Sequence, residues 1–293
     1  SPIFPHPELR HAGESRLPRG YVTLLLPVAV ALAAHSNGRR WWAYAAASTL
    51  LYGALVASQT RAAWVASVGV GLLLVVGVVR SGTGWRRLAV IASVFAAMTV
   101  IMALTRPEAP LSQRAVATLD TRDESLRQKL YLWKHTLPLI AERPFLGWGF
   151  STLLGRFPDL GSPEYVRVFG PTLVLIDTPH NEVLHIAFST GLVGLAAYLW
   201  VWAAIAMALR APSGGSAPTS RLNGALLASL AAYFVWLQFA WSHVGPANIF
   251  WIFTGVAAAL GRQTVTTGAR LDPADQHVTI RAPSGSFRVR QRS

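Results

Sequence analysis

Long stretches without a single Asp, Glu, Lys or Arg constrain this chain more than any other feature. Seven of them are present: Gly20–His35, Trp41–Gln59, Ala62–Val79, Leu88–Leu104, Val183–Leu209, Leu222–Trp241 and Asn248–Gly261. A bilayer core about 30 Å thick is crossed by about 20 mostly apolar residues in a helix, so the pattern predicts an all-α, polytopic transmembrane bundle of about seven spans. The first and last runs are short for a span. All thirteen acidic residues lie outside the runs, as the cost of a carboxylate in hydrocarbon requires. Only 13% of the chain is charged, about half the usual share of a soluble domain.

The net charge of +13 does not signal nucleic-acid binding, because the basic residues are scattered between apolar runs and form no patch on a soluble domain. They follow an orientation rule instead, since short loops retained in the cytoplasm carry the Arg and Lys excess. With the N-terminal segment outside, the inner loops carry Arg39 and Arg40, then Arg80, Arg86 and Arg87, then Arg210 and Arg221, and the tail adds six more arginines. The outer loops hold Arg61, while Arg10, Arg16 and Arg19 depart from the pattern. The expected division is an external segment over 1–20, four spans over 21–104, a large external loop over 105–182, three spans over 183–261, and a basic, disordered cytoplasmic tail over 262–293.

Within the external loop, Glu124–Ala141 places Leu126, Leu130, Leu132, Trp133, Leu137 and Ile140 near the helical period, which predicts an amphipathic helix ending before Pro144. Phe145–Pro163 is rich in Gly, Pro and aromatics and reads as an irregular loop at the membrane surface. Cysteine is absent, which removes disulfides, Cys-based metal sites and thiol nucleophiles. No D-x-D pair, P-loop, Rossmann glycine fingerprint or H-E-x-x-H occurs. No metal or cofactor is therefore expected. The start at Ser1, without an initiator Met or signal pattern, reads as a piece of a longer protein. The eleven tryptophans read mostly as interfacial belts.

The polar cluster Asp177-Thr-Pro-His180-Asn181-Glu182 stands directly before an apolar run, and Gly191 and Gly194 follow to give H-N-x9-G-x-x-G. Spacing alone leaves two readings open. In one, Asn181 or Asp177 caps the helix and the glycines allow close helix packing. In the other, chemistry takes place at the helix mouth.

Three motifs in order decide between them by resemblance. Ser58-Gln-Thr-Arg61-Ala62-Ala63, then Arg127 through Trp133 to Pro144-Phe-Leu-Gly147-Trp-Gly149, then H-N-x9-G-x-x-G together resemble the signature of the O-antigen ligase and O-antigen polymerase superfamily, over about Tyr21 to Gly261. A G-T-x-x-N-x-N motif that members often carry is not evident upstream. The resemblance implies an inverting glycosyltransferase of the bacterial inner membrane. Its donor would be a glycan on undecaprenyl pyrophosphate at the outer face, and its acceptor a hydroxyl of lipid A core, a growing glycan or a protein. On this reading Arg61 and Arg127 bind the pyrophosphate, with Lys129 as the alternative to Arg127. Planar, permanently charged guanidiniums suit a leaving group whose charge grows as the bond breaks. His180 is the candidate general base and Asn181 orients it or a sugar hydroxyl. Arg143, Arg156 and Arg167 read as solvated charge, and His185 and His243 as packed or interfacial. A transporter or flippase of lipid-linked glycan is the competing class, disfavoured because the runs show no paired repeats or midplane charges.

Overall fold

The computed structural model describes residues 19–58, 71, 84–105, 124–157, 162–169, 176–210, 217–240, 242, 244–270, 279–282 and 285–288. Arg61, the run Ala62–Val79 apart from Gly71, and His243 lie outside the described residues. Nine helices are described: α1 Arg19–His35, α2 Gly38–Ala57, α3 Trp85–Thr105, α4 Glu124–Glu142, α5 Leu153–Arg156, α6 Pro163–Phe169, α7 Glu182–Arg210, α8 Ala217–Leu237 and α9 Val244–Arg270. The expected all-α architecture is present, with one short exception in the tail. Two segments, Trp85–Met102 and Glu182–Arg210, are long and apolar enough to cross a bilayer, and Gly20–His35, Arg221–Leu237 and Gly245–Ala259 are shorter apolar helices.

Helix α1 is the hub of the bundle, packing against α2, α3, α8 and α9. Its Leu24 packs in one buried cluster with Leu226, Leu230, Tyr233 and Trp236 of α8, and its Ala33 and Ala34 are fully buried. Pro27 interrupts the hydrogen-bond ladder of α1, and nearby the Ser229 hydroxyl of α8 donates to the Leu24 carbonyl. Helices α2 and α3 are joined by Tyr52, which stacks on Phe95 at 4.1 Å and shares a 2.7 Å hydrogen bond with Thr99. On the other side of these helices Trp42, Leu50, Val100, Ile101 and Leu104 are exposed. An apolar surface of that kind is stable facing lipid and unfavourable facing water.

The two ends of the bundle differ in charge. At one end His35 closes α1 beside Arg87 and Arg221, and Arg87 donates to the Ala34 carbonyl at 3.4 Å and to Asn37 Oδ1. Arginines from two of the loops assigned to the inner face thus meet His35 at one end. At the other end the start of α1 meets the start of α9, where a Cβ on Gly20 would lie 2.7 Å from the Pro246 ring. The start of α7 joins them, because Asn181 hydrogen-bonds to Gln238 just past α8.

Beyond this second end a separate small core forms in the 105–182 region. Tyr131, Leu132 and Leu139 of α4, Leu153, Phe157, Tyr165 and Ile176 surround Phe188 of α7. Helix α7 therefore serves both cores, since its Ile205 and Leu209 belong to the bundle. Lys134 of α4 and Glu164 of α6 are 2.9 Å apart, and the hydrogen bond from Lys134 holds the Glu164 carboxyl below its ordinary pKa. Both side chains are solvent-exposed, so the pair adds little stability.

Three expectations need correction. The face of α4 is narrower than the apolar spacing implied, because Leu130 and Leu137 are exposed while Tyr131, Leu132, Thr136 and Leu139 are buried. The loop after Pro144 is not wholly irregular, since α5 lies inside it. The tail is ordered in part: α9 continues to Arg270, and β1 Thr279–Ala282 pairs antiparallel with β2 Gly285–Arg288, Ile280 opposite Phe287. Ile and Phe favour a paired strand, a local preference that overall polarity conceals.

Candidate functional site at the mouth of α7

The site is built where α7 begins and where it breaks. Asn181 caps the helix: its Oδ1 accepts the Leu184 N–H at 3.0 Å, satisfying one of the donors a helix start leaves open. Its Nδ2 donates to the Gln238 carbonyl at 3.0 Å. Both functions of this buried amide are engaged by protein, so Asn181 positions the segment instead of reaching outward. Next to it, the buried Glu182 carboxylate accepts the Ser242 N–H at 2.8 Å and ties the start of α7 to the segment before α9.

His180 is half-buried and has φ +51°, the left-handed region that residues with a Cβ rarely occupy. Such a conformation costs on the order of 1–3 kcal/mol and persists only where neighbours on both sides are fixed. Here they are. Asn181 is held by its cap, and on the other side the Pro179 carbonyl accepts the Trp133 indole N–H at 3.0 Å. Trp133 also packs near Phe239, with ring centroids 6.2 Å apart. Helix α4 is thereby docked on the His180 segment, and this indole is a structural pin, not part of an interfacial belt. Asp177 is exposed while Thr178 and Pro179 are buried.

The two cations on α4 differ in helical phase. Lys129 precedes Trp133 by four residues, so it lies on the same side of the helix one turn earlier, and it is half-buried. Arg127 is exposed and shares the outer face with Leu130, Lys134 and Leu137. Ser58 closes α2, its hydroxyl bonded to the Leu55 carbonyl at 2.7 Å. Arg61 follows three residues beyond, outside the described residues.

The second glycine-bearing motif acquires a physical role at Gly191. This residue has φ +71° and ψ −173°, so α7 is two helices across a break. The Pro144–Gly149 turn enters the gap: Trp148 N–H donates to the Phe188 carbonyl at 2.8 Å, Gly149 N–H to Ser189 at 2.9 Å, and Leu192 N–H to Pro144 at 2.6 Å. A Cβ on Gly191 would lie 2.2 Å from the Phe145 carbonyl carbon, and one on Gly147 would lie 2.5 Å from the Phe188 oxygen. Both must be glycine for the backbones to touch. The glycines of P-F-L-G-W-G and of H-N-x9-G-x-x-G are therefore parts of one joint. Residues 46–199 of the chain match the O-antigen ligase family, a match that runs from within α2 through the α4 docking helix, the His180 cap and this joint.

The chain belongs to that family. No curated protein matches the chain. O-antigen ligase family membership accounts for the joint and the cap together, because all three motifs on which the resemblance rests fall within the matched residues. It also makes the chain a membrane protein, in keeping with the apolar helices. His185, one turn into α7, packs edge-on to Phe150 at 5.8 Å.

Proposed function

We propose that this chain is an inverting membrane glycosyltransferase that moves a glycan from an undecaprenyl pyrophosphate carrier to a hydroxyl acceptor, without a metal. The observation that carries the reading is His180, a titratable side chain held in a strained conformation at the helix mouth by the Trp133 pin and the Asn181 cap. Neutral imidazole takes the acceptor's hydroxyl proton. The acceptor oxygen then bonds to the anomeric carbon as the carbon–oxygen bond to phosphate breaks on the opposite side, and pyrophosphate leaves on its carrier. Fixed cations compensate the charge that grows on the leaving group. In the proposed topology seven spans cross the bacterial inner membrane, with His180 and Arg61 facing outward. Purified chain given lipid-linked oligosaccharide and a hydroxyl acceptor, with chelator and no nucleotide, should yield transferred glycan. Failure with lipid A core, glycan and peptide acceptors alike would sink the proposal.

Orientation has its own test. Reporter fusions at Ser284 should be active only as cytoplasmic reporters, since the tail arginines favour the inner face. An externally active fusion there reverses the topology and removes the site from the donor's side.

Arg61 is proposed to hold the pyrophosphate. Arg61→Lys keeps the charge but loses the planar fork, so transfer should fall at least about tenfold, and unspent donor should accumulate on the outer face. An arginine that merely reaches lipid phosphates would tolerate lysine without loss of rate. Donor trapped on the inner face would instead mark a transport defect. For the second cation, helix phase supports Lys129 over Arg127. Lys129→Ala is expected to lower transfer by about tenfold or more and Arg127→Ala by less than about threefold, given what one fixed charge contributes at a leaving group. The reverse order of rates would return the role to Arg127.

A further inference from the structure

Arg143 and Arg156 flank the joint and bring their guanidiniums to the same indole. Their Cζ atoms lie 4.1 and 3.9 Å from the centroid of the Trp148 ring. That ring cannot swing away, because its N–H donates to the Leu139 carbonyl at 2.7 Å. Cation–π attraction helps hold each arginine, but two like charges on one ring repel each other. Among the described residues the one ion pair joins Lys134 to Glu164, so no described carboxylate balances this pair. An anion beside the indole, within reach of both guanidiniums, would offset the repulsion and accept charge-assisted hydrogen bonds.

The surroundings indicate where that anion comes from. The turn between the two arginines exposes Phe145 at 69%, Leu146 at 80% and Phe150 at 60%, and Leu192 and Val193 of α7 are exposed beside it. The bond from Leu192 N–H to the Pro144 carbonyl fixes this apolar shelf to α7. Helix α7 changes character at the same level. Phe188, Ser189 and Gly191 are buried, whereas from residue 192 onward no side chain is buried until Ile205. Residues 192–210 rise about 28 Å at 1.5 Å per residue, close to the hydrocarbon thickness of about 30 Å. The break at Gly191 thus coincides with the start of the lipid-facing helix, and the shelf with the plane between acyl chains and headgroups. Apolar side chains entering the acyl region beside paired arginines match the two chemical halves of a phospholipid.

From this juxtaposition we infer that Arg143, Trp148 and Arg156, with the Phe145–Leu146 shelf, form a binding site for the phosphate headgroup of an anionic phospholipid. The site is made of residues other than the proposed donor cations Arg61 and Lys129, and it does not depend on the transfer reaction. A bound lipid there would brace the joint from outside, holding the Pro144–Gly149 turn in the break of α7.

The test uses the full chain, stripped of lipid in detergent and titrated with phosphatidylglycerol or phosphatidylcholine, retained lipid being counted by native mass spectrometry. Wild-type protein should retain phosphatidylglycerol in preference to phosphatidylcholine. Each arginine near an anionic headgroup is worth about fivefold, so Arg143→Gln with Arg156→Gln should weaken phosphatidylglycerol about thirtyfold and leave phosphatidylcholine unchanged. Phe145→Ser with Leu146→Ser should weaken both lipids. Equal retention of the two lipids by wild-type protein overturns the inference and needs no variant to fold. So does a double arginine variant that keeps its phosphatidylglycerol. Displacement of the lipid by excess inorganic phosphate also overturns it, since the site would then hold a free anion.

Discussion

His180→Ala is expected to insert and fold while transferring glycan roughly 10²–10⁴-fold more slowly, the usual contribution of a general base. Alanine at φ +51° carries a backbone cost that histidine already bears, so His180→Asn is the sharper variant. Asparagine tolerates the left-handed region well and leaves the Pro179 carbonyl and the Asn181 cap undisturbed, yet it cannot accept a proton near neutral pH. Both variants should lose rate alike at saturating acceptor. In the active enzyme, rate should be lost on the acid side of the pH profile, because protonation removes the accepting lone pair. If His180→Asn transfers at the wild-type rate and His180→Ala does not, the residue serves the turn and the base lies elsewhere.

Legibility from sequence followed the range of the interactions concerned. Charge-free runs report an apolar surrounding directly, so the described helices α1, α2, α3, α7, α8 and α9 each overlap a run, and α4 begins and ends within a residue of its expected bounds. The break in α7 was hidden, because Gly191 sits inside an unbroken apolar run and hydropathy carries no information about φ. Only the shared backbone contacts with Phe145 and Leu146 show why glycine stands there. The loop and helix motifs, 40 residues apart, meet through backbone hydrogen bonds that side-chain patterns do not encode. Trp133 was unreadable for a similar reason, as an indole that pins a distant carbonyl looks the same in sequence as one at a membrane interface. The exposed Leu130 and Leu137 widened the expected face of α4, since apolar spacing does not distinguish a residue facing protein from one facing outward. Lys129 and Arg127 could be ordered only after Trp133 had fixed the phase of α4.

Gly191→Ala tests whether the joint holds the site together, and it should act more strongly than the same change at Gly194. At position 191 the new methyl meets Phe145 backbone atoms at 2.2 Å and sits at φ +71°, so relaxing one side chain cannot accommodate it. The turn must leave the break, taking with it the Trp148, Gly149 and Leu192 hydrogen bonds. Three such bonds contribute about 1 kcal/mol each, and alanine in this nearly glycine-only conformation costs about 1–3 kcal/mol more, so local stability should fall by about 4–6 kcal/mol. At position 194 the added methyl would lie 2.0 Å from Thr190 Oγ1 and 2.4 Å from Thr190 Cβ. A side-chain rotation relieves the first contact but not the second, so α7 must also shift locally, although no turn is displaced from the break. If the glycines served mainly for helix packing, the two substitutions would be comparable. Docking of the turn into α7 predicts instead that Gly191→Ala exposes the Pro144–Phe150 segment to protease and abolishes transfer, while Gly194→Ala, whose clash stays within α7, keeps the segment protected and lowers transfer less. The decisive measurement is limited proteolysis of the two variants in parallel with their transfer rates. Equal protection of the segment in both would show that the chain closes over an alanine at 191, and that the joint does not hold the site.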